Sequence, residues 1–486
     1  MTSLTIYHKK GILIKITPLI LILLNLIIKM LYISTSSIGG DEPFSVYHAQ
    51  MDVASIISHL TQGNNPPTYE ILLHFWIKIF GISELSIRFP SVFFSALTVF
   101  YIFNIGEKFF AYEVGLVAAL LFSFSNFNVL LAHEARVYAM FSFFVAASMY
   151  YFLEAIRNPK KHKYYLLILG CNTLICYLHY FGFFIVFLQT VAFILLKDVR
   201  INTYKNYCLY LLAFGILYIP NTYILVTRFL DSTVHGTWIS PPNGLNSVYN
   251  MLRTFSNQPL TTVFCILIFV GAGVKSFFKH DENPNRIYKQ VILLWFLFLF
   301  IFMFVISYWI PMFFDRYLIF VSLGYYLSVS ILSLSLLSQK KYKFIVPGVT
   351  VILFLVTFNP NMDNKRHVKE TVSKIVELKT DSTSVIIFPS SFVINFAYYY
   401  NKSIFADVDA KTVYDKMIVN LRKENVFSIN SINSFSSYSK RIIYFDAAAD
   451  FGAPNNNILS TLNTQYRLLN TYKFYEIFNV YEFEKL

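Results

Sequence analysis

The sequence predicts a polytopic α-helical membrane protein that ends in an extracytoplasmic α/β domain. Hydrophobic residues make up 56% of the chain and charged residues 14%, whereas soluble domains carry about 25% charged residues. Apolar runs long enough to cross a bilayer recur up to Phe358, and the composition turns polar after it. Together these observations exclude a soluble globular protein.

About eleven apolar segments approach the length of about 20 residues that spans the hydrocarbon of a bilayer. They start near Ile16, Phe89, Val114, Val137, Tyr164, Phe181, Tyr207, Thr261, Val291, Tyr317 and Phe344. The run from Tyr164 to Leu196 has basic turns on both sides, which requires an even number of crossings, so we divide it at His179-Tyr180-Phe181-Gly182. We expect a transmembrane domain over residues 1–358 and a second domain over residues 359–486.

The placement of lysine and arginine predicts the orientation. With the N-terminus in the cytoplasm, the N-terminal tail and the cytoplasmic turns hold 18 Lys and Arg residues, and the outer loops and helix ends hold seven. This asymmetry follows the positive-inside rule. It also accounts for the net charge of +13 without nucleic acid as a partner, because the lysines lie in short loops between apolar runs. We therefore expect a multi-pass protein of the inner (cytoplasmic) membrane with an extracytoplasmic C-terminal domain.

The first outer loop, residues 34–86, predicts two helices along the membrane surface. Apolar residues recur at helical spacing around Ile56 and again around Phe75 and Trp76, and a Gly-Asn-Asn-Pro-Pro sequence interrupts the pattern. Tryptophan is typical of the membrane interface. Plain surface helices with no role in a site are the alternative.

The polar C-terminal segment predicts a small α/β domain. A helical pattern covers residues 365–378, and strand-like runs cover residues 385–388, 442–445 and about 474–483,. About 125 residues suffice for a core of their own.

Polar residues collect on the outer side of this topology. Two carboxylates, Asp41 and Glu42, follow the first membrane helix, where ionisable groups are costly and indicate a functional site. Carboxylates can act as bases, and fixed arginines can hold an anionic group near the lipid headgroups. The combination suits transfer from a lipid phosphate donor. The full set is Asp41, Glu42, His48, Asn64, Asn65, His133, Glu134, Arg136, Tyr138, His179, Tyr180, Asp315, Arg316 and Tyr317.

Each of these residues alone also has a structural explanation. His133 or His179 could be a hydrogen-bonded interfacial histidine, Asp315 and Arg316 could form a local pair, and Arg136 could reach to the headgroups. No cofactor is indicated with certainty. Asp41, Glu42 and Glu134 could gather a divalent cation, although their spacing selects no particular metal.

Several short motifs resemble those of the bacterial glycosyltransferase family 39, whose relatives include the dolichyl-phosphate-mannose protein mannosyltransferases and the aminoarabinose lipid A transferases. The resemblance covers about residues 10 to 340, with the motifs in the same order. They are Gly40-Asp41-Glu42-Pro43, Gly63-Asn64-Asn65-Pro66-Pro67-Thr68-Tyr69, His74-Phe75-Trp76, Ser86-Ile87-Arg88-Phe89-Pro90-Ser91, His133-Glu134-Ala135-Arg136-Val137-Tyr138-Ala139, His179-Tyr180-Phe181-Gly182 and Arg316-Tyr317.

The resemblance implies a GT-C fold with an extracytoplasmic site that uses a polyprenyl-phosphate sugar. It implies Asp41 as general base with Glu42 as its neighbour, and Glu134 as the acid of the second outer loop beside Arg136. The donor phosphate would meet Arg316, with Arg136 and His179 as further candidates. Asn65, Tyr138 and Tyr317 belong to the same motifs and are expected to bind donor or substrate. His133 stands where many members carry glutamine, so it receives no role.

The function predicted from these features is an inverting sugar transfer to an acceptor hydroxyl of a lipid, a glycan or a protein. A lipid-linked glycan transporter or flippase is the main alternative from another class. Its charges would line a path through the bilayer, whereas here the inner thirds of the segments are nearly free of charge,. A polysaccharide polymerase or ligase, which would share the donor chemistry, and a non-catalytic scaffold also stay open.

Overall fold

The computed structural model describes residues 2–61, 66–235, 238–278, 285–337, 339, 341–362, 367–432, 439–449, 455–474 and 478–486. The chain divides into two compact units. The first consists of Met1–Tyr32, His59–Tyr69 and Arg88–Met362, and the second of Ile33–Ser58, Glu70–Ile87 and Asp363–Leu486. The first outer loop therefore contributes most of its residues to the unit that contains the C-terminal segment.

Helices account for nearly all of the chain before residue 362. They are α1 Thr2–Met30, α2 Glu42–Ala49, α3 Val53–Leu60, α4 Thr68–Phe80, α5 Glu84–Phe109, α6 Tyr112–Ser123, α7 Asn126–Ala132, α8 Tyr138–Arg157, α9 His162–Leu178, α10 Gly182–Leu195, α11 Lys197–His235, α12 Gly244–Phe255, α13 Pro259–Phe278, α14 Arg286–Leu293, α15 Leu299–Ile306, α16 Ile319–Leu336 and α17 Ile345–Val356. A π-helical turn, Leu294–Phe298, joins α14 to α15, and a 3-10 turn, Asp315–Leu318, precedes α16.

The helical pattern confirms the predicted membrane architecture. Among the described residues, seven helices are long and apolar enough to cross a membrane, and the bent pair α6 and α7 would make an eighth. Helices α10 and α17 are shorter apolar helices. Each of the eleven predicted segments coincides with a helix, and the long run after Tyr164 is broken between Leu178 and Gly182, where the prediction divides it.

The bend between α6 and α7 has a local cause. The two helices meet at 60°, and Ser125 at the break accepts a hydrogen bond from the Asn128 N–H, which caps the start of α7,. The Ser125 hydroxyl also lies 2.8 Å from the Tyr326 hydroxyl of α16. This redirected helix ends at Ala132, directly before the motif His133-Glu134-Ala135-Arg136.

Helix α16 is the most enclosed helix of the first unit. In the apolar stretch Asp315–Leu336, 94% of the residues are buried. The helix packs against α6, α8, α13, α14 and α17. The Trp295 indole N–H donates to the Phe320 carbonyl at 2.9 Å, and a Cβ atom on Gly324 would lie 2.9 Å from the Trp295 ring. Such close packing fixes the start of α16, where Arg316 and Tyr317 lie.

The second unit contains a five-stranded sheet of order β2-β1-β3-β5-β4. The strands are β1 Thr383–Phe388, β2 Val426–Ser428, β3 Arg441–Ala447, β4 Tyr466–Phe474 and β5 Phe478–Lys485. Strand β1 pairs in parallel with β2 and β3, and β5 pairs antiparallel with β3 and β4. The accompanying helices are α18 Val368–Leu378, α19 Val393–Tyr400, α20 Lys402–Ala406, α21 Asp415–Lys423 and α22 Ile458–Gln465.

The sequence patterns located the buried strands and missed the others. All six residues of β1 are buried, as its unbroken apolar run predicts. Strand β2 has only three residues, and β4 is largely exposed, so neither carries a strong apolar signal. In the first outer loop the two predicted helices correspond to α3 and α4, whereas α2 is an additional helix of eight residues.

Candidate active site

The turn between α7 and α8 carries Glu134 and Arg136 and is anchored on both sides. The His133 Nε2–H donates to the Lys29 carbonyl at 2.8 Å, and the Ser91 hydroxyl donates to the Arg136 carbonyl at 3.3 Å. Within the turn the Arg136 N–H donates to the Glu134 carbonyl at 2.8 Å. Glu134 and Arg136 are both buried. His133, which has no predicted role, thus holds this turn against the end of α1.

The turn between α9 and α10 fixes the protonation state of His179. The Phe181 N–H donates to His179 Nδ1 at 3.1 Å, so the ring proton of the neutral imidazole lies on Nε2. Burial, and secondarily the charge of Arg136, lowers the pKa of His179 to about 3. His179 is 4% exposed, and its Nε2 atom has no hydrogen-bond partner among the described residues. A buried donor therefore remains available to a ligand.

Arg316 and Tyr317 lie in the 3-10 turn that precedes α16. The Arg316 N–H donates to Asp315 Oδ1 at 2.6 Å, so Asp315 forms a local contact with the backbone of its neighbour. The Arg316 guanidinium carbon is 5.9 Å from the Tyr138 ring centre and 5.4 Å from that of Phe314. The Tyr317 ring lies 5.6 Å from the His179 ring.

Six predicted site residues therefore meet within the first unit. Tyr138 lies among them: its ring is 6.2 Å from that of His179, and its hydroxyl is within electrostatic range of Arg136, Arg316 and Glu134. We call the set the arginine cluster: Glu134, Arg136, Tyr138, His179, Arg316 and Tyr317. It combines two guanidinium groups and an imidazole N–H with one carboxylate, a combination suited to holding an anion.

The end of the first-loop motif is attached to the first unit. Asn64 and Asn65 lie outside the described residues, but the residues that follow them are fixed within the first unit. The Thr68 hydroxyl donates to the Tyr177 carbonyl, two residues before His179, and the Tyr69 hydroxyl is 3.2 Å from that of Ser91. The end of this motif is therefore attached to the helices that carry the arginine cluster.

Asp41 and Glu42 belong to the second unit and have different environments. Gly40 adopts φ of 57°, a left-handed conformation that favours glycine. Asp41 follows at the start of α2; it is exposed, and its side chain makes no helix cap. Glu42 is fully buried, and its Oε2 atom accepts the Gly39 N–H at 3.4 Å. Asp41 thus has the access that a base needs, whereas Glu42 contributes to the shape of the turn.

Helix α2 itself carries further buried polar residues. The Ser45 hydroxyl donates to Glu70 Oε1 at 2.7 Å, and His48, also among the predicted residues, has its Nδ1 atom 2.9 Å from the Phe44 carbonyl. The Ser45–Glu70 contact holds α2 to α4 within the second unit, whereas the His48–Phe44 contact lies within α2.

Lys29, at the end of α1, is a buried cation for which the sequence patterns predict no role in a site. It is 0% exposed, its ammonium donates to the Ser95 hydroxyl at 2.6 Å, and it lies 4.1 Å from the Phe122 ring centre. The available signal was its position inside an apolar run, where an ionisable residue is a candidate functional group.

The described residues contain no group of three or more His, Cys, Asp or Glu side chains arranged to hold a metal ion. Asp41, Glu42 and Glu134, the donor set considered above, form no such group there.

Comparisons with known proteins find a family model and several solved structures that match this chain. Residues 64–224 match the family model described as dolichyl-phosphate-mannose-protein mannosyltransferase. A comparison with curated proteins found no significant match.

Solved structures with the same fold include ArnT from Cupriavidus metallidurans, both bound to undecaprenyl phosphate (9% identity, TM-score 0.59) and in the apo state (9%, 0.60). Each alignment covers 96% of this chain and 97% of ArnT. The oligosaccharyltransferase of Archaeoglobus fulgidus, in complex with Zn and sulfate, aligns with 12% identity and a TM-score of 0.53 over 89% of this chain and 68% of its own.

These matches confirm the resemblance predicted from the motifs. Both solved proteins share the fold over most of this chain, and the family match includes the α7–α8 turn and the His179 turn. The chain is therefore a multi-pass membrane protein with a GT-C fold, and its residues 64–224 match the family model described as dolichyl-phosphate-mannose-protein mannosyltransferase.

Proposed function

We propose that this protein transfers a sugar from a polyprenyl-phosphate donor to an acceptor hydroxyl on the extracytoplasmic face of the inner membrane. The arginine cluster is the observation that carries the proposal. Its guanidinium groups and the Nε2–H of His179, which bonds to no other described residue, form a donor set for a phosphate. The ArnT structure with undecaprenyl phosphate supports a lipid phosphate as that ligand.

The phosphate is the leaving group of the proposed reaction. As the bond from the anomeric carbon to the phosphate oxygen breaks, its electron pair stays with the phosphate and increases the negative charge. Arg136, Arg316 and His179 stabilise this charge. Each fixed donor of this kind commonly contributes about 2.7 to 4 kcal/mol to a transition state. Tyr138 and Tyr317 line the same cluster, and Asn65 is assigned to substrate binding from its motif.

The acceptor supplies the nucleophile. Its hydroxyl oxygen attacks the anomeric carbon on the side opposite the phosphate, which inverts the configuration, and the hydroxyl proton passes to the Asp41 carboxylate. The exposed position of Asp41 and its place in the Gly-Asp-Glu-Pro motif support this role. Glu42 and Glu134 complete the proposed catalytic carboxylates: Glu42 orders the turn that presents Asp41, and Glu134 balances the charge of Arg136.

The proposed topology has a cytoplasmic N-terminus, with residues 1–358 as transmembrane domain and residues 359–486 as extracytoplasmic domain. The acceptor is a lipid, a glycan or a protein. A polymerase or ligase would use the same donor chemistry with a glycan acceptor. A transporter would need charges along the membrane helices, whereas the arginine cluster lies at helix ends and turns.

The test is transfer from a radiolabelled lipid-linked sugar in membranes that contain the full chain. We expect Asp41→Asn to abolish transfer with normal expression, because the amide cannot accept the proton. Asp52→Asn is the matched control: Asp52 is an exposed carboxylate of the same loop that bonds the Ser55 N–H at 3.1 Å, a contact that asparagine preserves. Near-normal transfer by Asp41→Asn would refute the assignment of the base.

The acceptor is identified separately. Mass spectrometry of envelope lipids, glycans and glycoproteins from a deletion strain should show one class of molecule that lacks a sugar, and the gene supplied in trans should restore it. An unchanged profile in all three classes would contradict a transferase role.

A further inference from the structure

The turn that presents Asp41 is attached to the C-terminal part of the second unit before and after the carboxylate. Before it, the Ile38 N–H donates to the Tyr399 hydroxyl at 2.6 Å, and the Ser37 hydroxyl donates to Glu370 Oε2 at 3.1 Å. After it, the Tyr47 hydroxyl donates to the Val413 carbonyl at 2.5 Å. The short segment that contains Asp41 is thus held at both ends by residues far along the chain.

Tyr399 of α19 makes the most informative of these contacts. Its hydroxyl accepts the Ile38 N–H and donates its proton to Glu84 Oε1 at 2.6 Å. One hydroxyl therefore joins the turn before Asp41 to the first residue of α5, and the carboxylate of Glu84 orients the hydroxyl so that its oxygen faces the Ile38 N–H. Ile38 is 0% exposed, so this N–H depends on a protein acceptor.

Aromatic packing supports the segment after Asp41. The Tyr47 ring lies 5.2 Å from the Tyr414 ring and 5.7 Å from the Phe405 ring, and Tyr47 is 0% exposed. The His48 ring meets Tyr414 edge-on at 5.8 Å. Helix α2, which begins at Glu42, therefore packs against α20 and the start of α21.

We propose that Tyr399 is a positioning residue for Asp41 and that the C-terminal sheet domain acts by fixing the geometry of the base. This inference rests on the proposed function. A left-handed glycine next to Asp41 gives the turn several accessible conformations, and contacts on both sides select one. The C-terminal domain is then a structural part of the catalytic machinery, and transfer depends on it even if it contacts no substrate.

The test compares Tyr399→Phe with Tyr400→Phe in the full-length protein. Phenylalanine keeps the ring and removes the hydroxyl that joins Ile38 to Glu84. Tyr400 is the neighbouring tyrosine, and its hydroxyl interacts with Glu424 inside the C-terminal part, so its loss should leave the Asp41 turn in place. Two quantities are measured: the transfer rate at saturating radiolabelled donor, and the Kd for undecaprenyl phosphate as a probe of the arginine cluster.

We expect Tyr399→Phe to lower the transfer rate about 10- to 100-fold and to leave the Kd for undecaprenyl phosphate within about twofold, while Tyr400→Phe matches the wild type in both. A wild-type rate for Tyr399→Phe overturns the proposal. An equal loss in both variants, or a weaker Kd for Tyr399→Phe alone, also overturns it, because either result indicates general damage to the fold.

The two single variants separate this inference from the function on which it rests. A near-normal rate for Asp41→Asn alone would remove the proposed base, whereas an inactive Asp41→Asn beside a fully active Tyr399→Phe removes only the positioning role. If Tyr399→Phe does not fold, Tyr47→Phe tests the other attachment with the same expected pattern.

Discussion

At the scale of single residues, His179 shows how two neighbours determine what a side chain can do. The Phe181 N–H occupies Nδ1, and the nearby Arg136 charge opposes protonation. The imidazole therefore stays neutral at physiological pH and acts as a hydrogen-bond donor through Nε2. In this neutral state it offers a hydrogen bond to the phosphate, and the positive charge of the cluster comes from the arginines.

This environment makes the stability of the protein depend on pH. The pKa of His179 is about 3 in the folded protein and about 6.5 in an unfolded chain, so the unfolded state binds more protons between these values. The stabilisation is complete above pH 6.5 and is lost as the pH falls toward 3. Between pH 6.5 and 5 we expect the wild type to lose about 2 kcal/mol that His179→Gln does not lose.

The measurement is thermal unfolding in detergent as a function of pH. His162→Gln, which replaces an exposed histidine at the start of α9, should follow the wild-type curve. Identical pH dependence in the wild type and His179→Gln would show that His179 is not buried as a neutral group.

The residue types of the arginine cluster could be predicted from the sequence because charged residues make up only 14% of this chain and those of the cluster fall at helix ends. Their tautomers and contacts could not, because those depend on neighbours such as Arg136 and Phe181 that only the fold brings close. Lys29 differs from the cluster because its charge inside an apolar run indicated a functional group that was not predicted. Its contact with the Ser95 hydroxyl could not be predicted, because it depends on the packing of α1 against α5.

At the scale of elements, the turn between α9 and α10 depends on one glycine. A Cβ atom on Gly182 would lie 2.7 Å from the backbone carbonyl of Ile175, which is too close for any side chain. The Gly182 N–H also donates to the His179 carbonyl at 2.8 Å. Glycine at this position therefore lets α10 start close enough to α9 to hold His179 in its place.

We expect Gly182→Ala to destabilise the protein by about 1 to 3 kcal/mol, because backbone atoms must move to accept the methyl group, and to weaken binding of undecaprenyl phosphate by moving His179. Gly170→Ala is the matched control within α9, since a Cβ atom there meets no atom within 4 Å. Unfolding temperature and Kd are measured for both variants. Equal stability of the two would contradict the close approach at Gly182.

Local sequence patterns predicted the long helices and the fully buried strands. The break at His179 followed from an argument about an even number of crossings, and β1 from an unbroken apolar run. Helix α2 was missed because eight residues that begin with Glu42 and Pro43 carry a weak helical pattern, although they are buried on almost every side. Its stability comes from contacts with α4 and the C-terminal part, which no local window contains.

At the scale of the whole molecule, the second unit is assembled from segments that are distant in the chain. Ile38 and Tyr399 are 361 residues apart, and residues 33–58 and 70–87 join the C-terminal part in one compact unit. The change of composition after Phe358 predicts a C-terminal domain but gives no indication that the first outer loop belongs with it. Such pairing depends on tertiary contacts that one sequence alone does not reveal.

We therefore expect truncation after Met362 to abolish transfer and to loosen the first outer loop. Lys78 is the only lysine or arginine between residues 33 and 87, so trypsin cleavage after Lys78 reports on the loop. Cleavage there should become faster in the truncated protein, while cleavage at the exposed Lys160 and Lys161, in the first unit, should keep its rate. Unchanged cleavage after Lys78 would show that the loop holds its structure alone.

The long separation between Ile38 and Tyr399 also has a consequence in time. Synthesis at about 5–20 residues per second places roughly 18–72 s between the two residues. During that interval the turn that contains Asp41 exists without the partners that hold it. A nascent or stalled chain therefore has its membrane helices before it has an ordered base, and activity should begin only when the last part of the sheet has been made. In the proposed function, this order of assembly protects the lipid-linked sugar from use by an incomplete enzyme.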